Sequence, residues 1–504
     1  MWSTDVGKRK SAHSSSAEMR TPTKPTAAVI GGGPAGLLTA VMLAQRNIYE
    51  TINVYDARPP PLSPSDPSWG AGERSYQLGL NGRGQKSLRE FDAMERVSAH
   101  AAYVQGRLSF DKSGQPNENR LKPPGTKGAE KTYTTRVLQR DRLQACLVEE
   151  LRVRYADKVT LNFGVACDGV DLDGERPAVR LCASDAASDV EECAVDVGAD
   201  TDGAARESRV EADLVVGADG VRSAVRESLA AAPGSTTRTV RYVNDNERVY
   251  KTLPLHPSAV PGTASDLNWG CRNTTIDLGM DALPTAEGEM VAVLLFKPGT
   301  PTYERIEQLA TADDAKAFLA ASLPPLAPYV RDDELARFVE RPISRLPSFQ
   351  CVEGDIHHSL PRGGVVVLGD AIKAVKPYFG QGANSALEDV SILKRCLDES
   401  GDEPAAAARA FSAARGDDAR ALVRISRGFD RPGPLGTARF LLPLLLDIQL
   451  NKLLPAVFSP PTLRGLQDER NSFIGLERRK RRERVVLLGL LGALAAGAKR
   501  LLFV

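Results

Sequence analysis

Residues 365–389 combine an acid at the tip of a strand with a glycine-rich loop that enters a helix. The apolar, β-branched run predicts a buried strand that ends at Gly369-Asp370. Pro377 and Tyr378 then precede the loop residues Gly380, Gln381, Gly382, Ala383 and Asn384. The N–H groups of such a loop at a helix N-terminus attract negative charge, whereas an acid at a strand tip accepts hydrogen bonds from hydroxyls. The segment therefore indicates a site for a ligand that carries both kinds of group.

A second glycine-rich turn lies near the N-terminus. The apolar residues 27–30 are followed by Gly31-Gly32-Gly33-Pro34-Ala35-Gly36 and a helical run. In this pattern Gly31 permits a tight turn, Gly33 lets a pyrophosphate approach the backbone, and Gly36 lets the helix pack on the strand. Twenty residues later, Asp56 stands where a ribose 2′-hydroxyl is bound. An acid there favours a ribose without a 2′-phosphate, as in FAD or NAD.

A third element has the same strand-turn-helix form. Residues 213–217 lead into Ala218-Asp219-Gly220, and a helical pattern opens at Ser223. Alone, Asp-Gly after a strand is an ordinary turn. Together, GGGPAG, GADGVRSAVR and GDA…P…GQGAN resemble the three fingerprints of the flavoprotein aromatic hydroxylases, which are FAD-dependent monooxygenases. Shorter motifs, in matching order between residues 27 and 472, are similar to those of kynurenine 3-monooxygenases and their plant and algal relatives.

The resemblance implies an α/β fold. It predicts a Rossmann-like FAD-binding domain with an inserted β-sheet substrate domain and a helical C-terminal region. The expected parts are a disordered or targeting extension (1–25), the first part of the FAD-binding domain (26–227, with a loop insertion at 183–208), the substrate-domain sheet (228–360), the second part of the FAD-binding domain (361–430), a helical region (431–484) and a candidate membrane anchor (485–504).

The resemblance also assigns residues to the cofactors. Asp56 would bind the adenosine ribose, Arg140 the diphosphate or ribityl region, and Asp370 the ribityl chain. NADPH would bind only transiently, with Asp219 serving both cofactors. The full set of expected cofactor-binding residues is Gly31, Gly33, Gly36, Asp56, Arg58, Arg140, Asp219, Gly220, Asp370, Gly380, Gln381, Gly382, Ala383 and Asn384.

The implied reaction is hydroxylation of an aromatic ring by O₂ and NAD(P)H through a flavin C4a-hydroperoxide. Pro377 would lie along the flavin ring, and the loop at 380–384 would stabilise the negative charge of the reduced flavin. Tyr378 and Asn384 could contact the substrate or only support the loop. Arg107 matches the arginine that holds the substrate carboxylate in kynurenine 3-monooxygenases; a salt bridge without a substrate is the alternative.

Two departures from the family pattern affect the substrate. The tyrosine expected near Arg107 is Pro124, and the histidine expected after the third fingerprint acid is Lys373. L-kynurenine is the first substrate to consider. The alternatives are a flavin oxidoreductase or epoxidase that acts on a lipid-soluble ring or alkene, and a flavin-binding membrane protein without catalysis.

Composition and the chain ends complete the prediction. A net charge of +1 gives no sign of a nucleic-acid partner, no metal-ligand spacing is evident, and the seven cysteines are scattered, as suits reduced thiols. Residues 1–25 are predicted to be disordered, with a transit peptide as the alternative.

The C-terminus is predicted to associate with a membrane. A basic run at 478–484 precedes fourteen uncharged residues, 485–498, which as a helix would span ~21 Å of the ~30 Å hydrocarbon core. A tail anchor in the mitochondrial outer membrane, or in a plastid membrane, is expected. A helix that packs on the protein is the alternative.

Overall fold

The computed structural model describes residues 24–71, 76–111, 114–127, 129, 131–184, 208–243 and 245–502. The predictions for the N-terminal extension and for the insertion at 183–208 fall almost entirely outside these residues. The described chain is a mixed α/β structure that contains several sheets and ends in helices.

A six-stranded, largely parallel sheet forms the centre of the larger layer. Its strand order is β20-β21-β12-β1-β2-β8, and only β20 runs antiparallel to its neighbour. The central strands β1, β12 and β21 are short, apolar and almost fully buried, as expected where helices cover both faces of a parallel sheet. Their bounds are β1 (Thr26–Ile30), β2 (Thr51–Asp56), β8 (Val159–Phe163), β12 (Leu214–Gly217), β20 (His357–Leu360) and β21 (Gly363–Val367).

Helices and small sheets surround this central sheet. The helices are α1 (Pro34–Arg46), α2 (Gly82–Glu90), α3 (Met94–Ala99), α4 (Arg140–Arg154), α5 (Ala224–Ala231), α9 (Gly382–Glu399) and α10 (Pro404–Gly428). The described residues also form three three-stranded sheets. The first consists of β3 (Gln77–Leu80), β7 (Thr135–Gln139) and β4 (Ala102–Val104), and the second of β9 (Val165–Asp171), β10 (Ala178–Ala183) and β11 (Ser208–Glu211). The third consists of β13 (Arg238–Arg241), β19 (Gln350–Glu353) and β22 (Lys373–Ala374).

A seven-stranded sheet, in the order β18-β14-β17-β16-β15-β5-β6, forms the second layer. One of its faces packs on three helices around the buried Trp269. Two of its strands, β5 and β6, come from outside residues 228–360. The elements are β5 (Gly106–Phe110), β6 (Pro116–Arg120), β14 (Val249–Leu255), β15 (Asn268–Asn273), β16 (Leu278–Pro284), β17 (Met290–Phe296), β18 (Ser344–Arg345), α6 (Pro301–Glu307), α7 (Ala312–Ser322) and α8 (Asp332–Glu340).

Three helices end the chain: α11 (Gly433–Leu453), α12 (Thr462–Gln467) and α13 (Phe473–Leu502). Phe473 and Leu476 at the start of α13 are buried against α10. The predicted anchor at 485–504 is therefore not a separate helix, because α13 begins before the basic run and continues through it. Among the described residues, no helix has an apolar stretch long enough to cross a bilayer.

The predicted fold class is confirmed. The chain has a Rossmann-like parallel sheet, a further large sheet and a helical C-terminal region, as the sequence indicated. The exact domain boundaries remain predictions.

Candidate functional site

The three fingerprint turns meet at one edge of the central sheet. They follow the C-terminal ends of β1, β12 and β21, which are neighbouring parallel strands. A Cβ atom added to Gly31 would lie 2.4 Å from the Ala218 carbonyl oxygen, and one added to Gly369 would lie 3.7 Å from the Ala35 Cβ. Segments about 340 residues apart in the chain are thus in direct contact. In α/β sheets this carboxyl edge is where ligands bind.

The first turn leaves room for a ligand against its backbone. A Cβ on Gly36 would lie 1.9 Å from the Gly31 carbonyl oxygen, so only glycine lets α1 approach the turn this closely. Gly31 has φ +104°, which disfavours any other residue. Gly33 is more open, because its nearest atom would be Arg140 Nη2 at 3.9 Å. A cation beside a glycine backbone at the start of α1 suits a pyrophosphate.

Asp56 and Arg58 lie beside this turn. The Asp56 carboxylate accepts hydrogen bonds from the Gly32 N–H at 2.7 Å and the Arg58 N–H at 2.9 Å. The Arg58 guanidinium, which is half-exposed, adds an ion pair at 3.2 Å. Asp56 is buried and held in place at the end of β2. The structure therefore brings Asp56, Arg58 and Arg140 together with the glycine turn.

Asp219 caps the helix that follows the second turn. Its Oδ2 accepts from the Ala224 N–H at 2.7 Å and the Val225 N–H at 3.2 Å, whereas its Oδ1 is buried without a hydrogen-bond partner. Burial raises the pKa of this carboxyl. The next residue, Gly220, has φ +77° and open space around its Cα. Asp219 thus retains one oxygen that can accept a hydrogen bond from a ligand. That it contacts both FAD and NADPH stays a prediction.

Asp370 lies at the third turn, after the end of β21, with its side chain exposed. Its side chain is reached by solvent and yet surrounded by protein, so that burial raises the pKa of the carboxyl; Lys373 and Arg140 oppose this rise. In the described part of the chain, no hydrogen bond or ion pair to this carboxylate is found. An acid with free acceptors at the carboxyl edge of the sheet is suited to bind hydroxyl groups.

The loop after Asp370 aims the N-terminus of α9 at the same place. Gly380 has φ +61°, Pro377 and Gly380 are exposed, and the α9 backbone starts at Gly382. Gly382 and Ala383, the first residues of α9, are partly exposed. The positive end of α9 can therefore stabilise an anion.

Asn384 and Gln381 support this loop from inside. Asn384 donates to the carbonyls of Gly79 at 2.8 Å and Gly380 at 2.6 Å, and it accepts from the Asn81 N–H at 2.9 Å. All of its hydrogen-bonding groups are used, so the structure places Asn384 as a support for the loop. Gln381 is buried, and its Oε1 has no partner.

A buried charge network behind the loop was missed in the sequence. Asp389 on α9 accepts from the Gly369 N–H at 2.8 Å, from Lys373 Nζ at 2.5 Å and from Arg415 Nε at 2.5 Å. Arg415 also donates hydrogen bonds to Asp418 and to the Ser385 carbonyl. Lys373, which stands where the family has histidine, is thus paired and buried. The two cations outweigh the effect of burial and hold the pKa of Asp389 below its usual range.

Arg107 lies on the seven-stranded sheet, and Tyr378 lies in the loop that precedes α9. Arg107 is half-exposed on β5 of the seven-stranded sheet, where it forms an ion pair with Asp281 at 2.8 Å. Tyr378 is partly exposed, and its ring meets Phe379 edge to face. Burial raises the pKa of Tyr378. Neither contact shows what these two side chains bind.

Two cavities elsewhere do not coincide with the fingerprint turns. One of about 100 Å³ is lined by residues that include Tyr242, Arg248 and Lys376. A groove of about 900 Å³ runs between α2, α9 and the start of α13 and includes Arg83, Arg395 and Asp418. None of the predicted cofactor residues lines either of them. The converging glycine turns, the unpaired Asp219 Oδ1 and the free Asp370 carboxylate fit an extended dinucleotide better.

Comparison with known proteins finds similar sequences and similar folds. No family model matches. A kynurenine 3-monooxygenase of Xanthomonas campestris is 28% identical over 443 residues, which cover 86% of this chain and 85% of the relative. Among solved structures, 2-methyl-3-hydroxypyridine-5-carboxylic acid oxygenase has a TM-score of 0.57 at 20% identity, covering 81% of this chain and 91% of that one. HpxO of Klebsiella pneumoniae, complexed with FAD and uric acid, has a TM-score of 0.54 at 20% identity, covering 90% and 96%.

The resemblance predicted from the three fingerprints is therefore confirmed: this chain is similar to kynurenine 3-monooxygenases over most of its length and has the fold of the flavoprotein aromatic hydroxylases.

Proposed function

We propose that the protein is an FAD-dependent monooxygenase that hydroxylates an aromatic substrate with O₂ and NADPH. The observation that carries the proposal is the meeting of three glycine turns at the carboxyl edge of one parallel sheet. The similarity to kynurenine 3-monooxygenases and to an oxygenase fold supports it.

FAD would supply electron transfer and oxygen activation, and the chain would hold it in place. Asp56 would accept the adenosine ribose hydroxyls, Arg140 and the turn at Gly33 would bind the pyrophosphate, and Asp370 would accept the ribityl hydroxyls. The N-terminus of α9 would stabilise negative charge on the flavin ring. Asn384 links the N-terminus of α9 to β3 through its hydrogen bonds to the carbonyls of Gly380 and Gly79.

L-kynurenine is the substrate that the similarity favours. Arg107 offers a half-exposed guanidinium on the large sheet, and its partner Asp281 is also accessible, so that a substrate carboxylate can reach the pair. A lipid-soluble ring compound is the second candidate, because Pro124 removes the tyrosine hydroxyl expected near Arg107.

The test is turnover by the purified full-length protein. It is expected to be yellow, and L-kynurenine is expected to accelerate NADPH oxidation and to yield 3-hydroxykynurenine. Acceleration by a lipid-soluble ring compound instead would favour the second candidate. A colourless protein that does not take up added FAD would contradict the monooxygenase itself.

Membrane association is proposed for the C-terminal helices. Leucine and valine side chains on α11 and α13, among them Leu442, Leu445, Val485, Leu488 and Leu491, are exposed. Arg481, Arg482 and Arg484 are exposed beside them, whereas Lys480 is buried between Asp447 and Glu483 and attaches α13 to α11. Helices with this pattern lie in the bilayer interface and prefer anionic lipids.

The full-length protein is expected to sediment with anionic vesicles more than with zwitterionic ones. The double substitution Leu488→Glu and Leu491→Glu should reduce sedimentation with both. Val153→Glu, at an isolated exposed residue of α4, is the matched control and should change nothing. Equal sedimentation of the double variant and the wild type would contradict the proposal.

A further inference from the structure

The face of the seven-stranded sheet opposite the helices is only partly covered. Along β14, β16 and β17, residues whose side chains point to α6, α7 and α8 are buried in the core around Trp269. The alternate residues of these strands point to the opposite face. Several of them are partly exposed: Tyr250, Thr252, Asp281, Val293 and Leu295. This second face, here called the open face, is therefore accessible and mainly apolar in its middle.

The open face lies toward the FAD-binding layer. Leu283, on this face, packs against Ala102, Val104 and Val137 of the β3-β7-β4 sheet. The β3 strand of that sheet holds the α9 loop through the Gly79 carbonyl. Tyr250 is also on the open face and, like Arg140 and Asp370, is close enough to act electrostatically on Tyr76, whose pKa is raised by burial. The open face and the predicted flavin site thus border the same space.

Two arginines and one aspartate form a cluster at one side of this face. Asp281 accepts from Arg107 Nη2 at 2.8 Å through one oxygen and from Arg272 through the other. Arg272 is fixed further by its hydrogen bonds to the carbonyls of Met280 at 2.8 Å and Cys271 at 3.1 Å. The cluster carries two positive charges and one negative charge, and each arginine side chain is 50% exposed.

Glycines let both guanidinium groups lie across the sheet. A Cβ on Gly270 would be 2.1 Å from Arg107 Nη2, and a Cβ on Gly279 would be 2.8 Å from Arg272 Nη1. Gly270 and Gly279 are buried beneath these side chains, and neither has a positive φ. Their lack of a side chain therefore leaves the space that the two guanidinium groups occupy, whereas their backbone conformation does not call for glycine.

We propose that Arg272 and Arg107 together bind the carboxylate of the aromatic substrate, and that Asp281 is a positioning residue that holds the two guanidinium groups. The inference rests on the proposed function and deepens it, because it adds Arg272 and Asp281 to the substrate site. A carboxylate accepts paired hydrogen bonds from guanidinium groups. The excess positive charge of the cluster favours an anionic group, and the apolar middle of the open face suits the ring.

The test uses the FAD-loaded full chain and pairs of ligands that differ only in the carboxylate. L-kynurenine, anthranilate and 4-hydroxybenzoate are each compared with their methyl esters by isothermal titration calorimetry. At least one acid is expected to bind about 10-fold or more tightly than its ester, since a paired charged hydrogen bond is worth this much. Binding of every acid and ester with equal strength, or no binding of any acid, would overturn the proposal.

Substitutions at the cluster test whether the arginine pair causes the tighter binding of the acid than of its ester. Arg272→Ala should abolish the difference between acid and ester, and Arg272→Lys should restore part of it. Gly270→Ala should also reduce it, because the added Cβ displaces Arg107 without removing its charge. Asp281→Asn should reduce it by releasing both arginines. Arg120→Ala is the matched control, because Arg120 is a half-exposed arginine that pairs with Asp266 on the other face of this sheet; it should retain the full difference.

Product analysis distinguishes this inference from the proposed function. An acid preference that depends on Arg272, without a hydroxylated product, would support the arginine pair and contradict the monooxygenase. Hydroxylation with an acid preference unchanged in Arg272→Ala would contradict the arginine pair alone.

Discussion

Replacing Asp389 by asparagine is expected to lower the free energy of unfolding by about 3–5 kcal/mol. Asp389 is completely buried and is the shared partner of Lys373 and Arg415, which are also buried. Removing its charge leaves Lys373 without its ion-pair partner in a low-dielectric interior, and it leaves Arg415 with only Asp418 and Glu388. It also weakens the bond to the Gly369 N–H, which fixes the turn before Asp370, so that FAD binding should weaken as well. Chemical denaturation and flavin absorbance measure the two effects.

The same substitution at an exposed ion pair is the control. Asp332 pairs with Lys316 at 2.7 Å, and both side chains are well exposed. Asp332→Asn should cost no more than about 1 kcal/mol and should leave FAD binding unchanged. If Asp389→Asn lowered the free energy of unfolding no more than this control and left FAD binding unchanged, the buried network would not stabilise the turn.

The pH dependence of the Asp389 contribution has a defined sign. The pKa of Asp389 is lowered in the folded state, against the effect of burial, by Arg415 and Lys373. Its contribution is therefore present above the unfolded pKa, about 4, and is lost as the pH falls through the lower folded pKa. The wild type should thus lose more stability on acidification than Asp389→Asn does.

The glycine turns could be predicted from the sequence, because each is a short local pattern. Gly31, Asp219 and Asp370 each follow an apolar strand directly, and parallel strands bring such turns to one edge. The Asp389 network could not be predicted in this way. Its partners are 16 and 26 residues away in the chain. Lys373 comes from β22, and Arg415 comes from α10, which packs on α9.

The C-terminus shows what a local pattern leaves open. The uncharged run at 485–498 predicted a membrane anchor preceded by a basic flank, with a helix packed on the protein as the alternative. Arginine and lysine favour helix nearly as well as leucine does, so α13 runs without a break from Phe473 to Leu502. The contacts of Lys480 with Asp447 and Glu483 show that its basic segment packs partly on the protein.

The Arg272–Asp281 pair was also missed. These residues lie on adjacent antiparallel strands, and Arg272 pairs with Gly279 in the register of β15 and β16. The register decides which side chains share the open face, and no local motif in the sequence indicates it. Arg107 reaches the cluster through a parallel pairing of β5 with β15, which joins segments about 160 residues apart.

Asp370 and Asp389 lie close together but have opposite effects on stability. Cations surround Asp389, and its pKa is lowered despite burial. Burial raises the pKa of Asp370, whose carboxylate has no hydrogen-bond or ion-pair partner among the described residues. An acid whose folded pKa is raised binds protons more readily in the folded state, so stability falls as the pH rises through the unfolded and then the folded pKa. Because the Asp370 side chain is exposed, solvent screens this effect, and the destabilisation of the FAD-free protein at neutral pH is expected to be small.

Replacing Asp370 by alanine should consequently have a small stabilising effect on the FAD-free protein at pH 7 and should weaken FAD binding. Loss of charged hydrogen bonds to ribityl hydroxyls is expected to raise the Kd for FAD by about 10- to 100-fold. Thermal unfolding of the FAD-free protein between pH 4.5 and 7 and titration of FAD fluorescence measure the two effects. Asp370→Asn, which removes the charge and keeps the size, should give the same stabilisation with a smaller loss of affinity. An alanine variant that binds FAD as tightly as the wild type would exclude Asp370 from the cofactor site, whereas a less stable FAD-free variant would show that its carboxylate is paired within the fold.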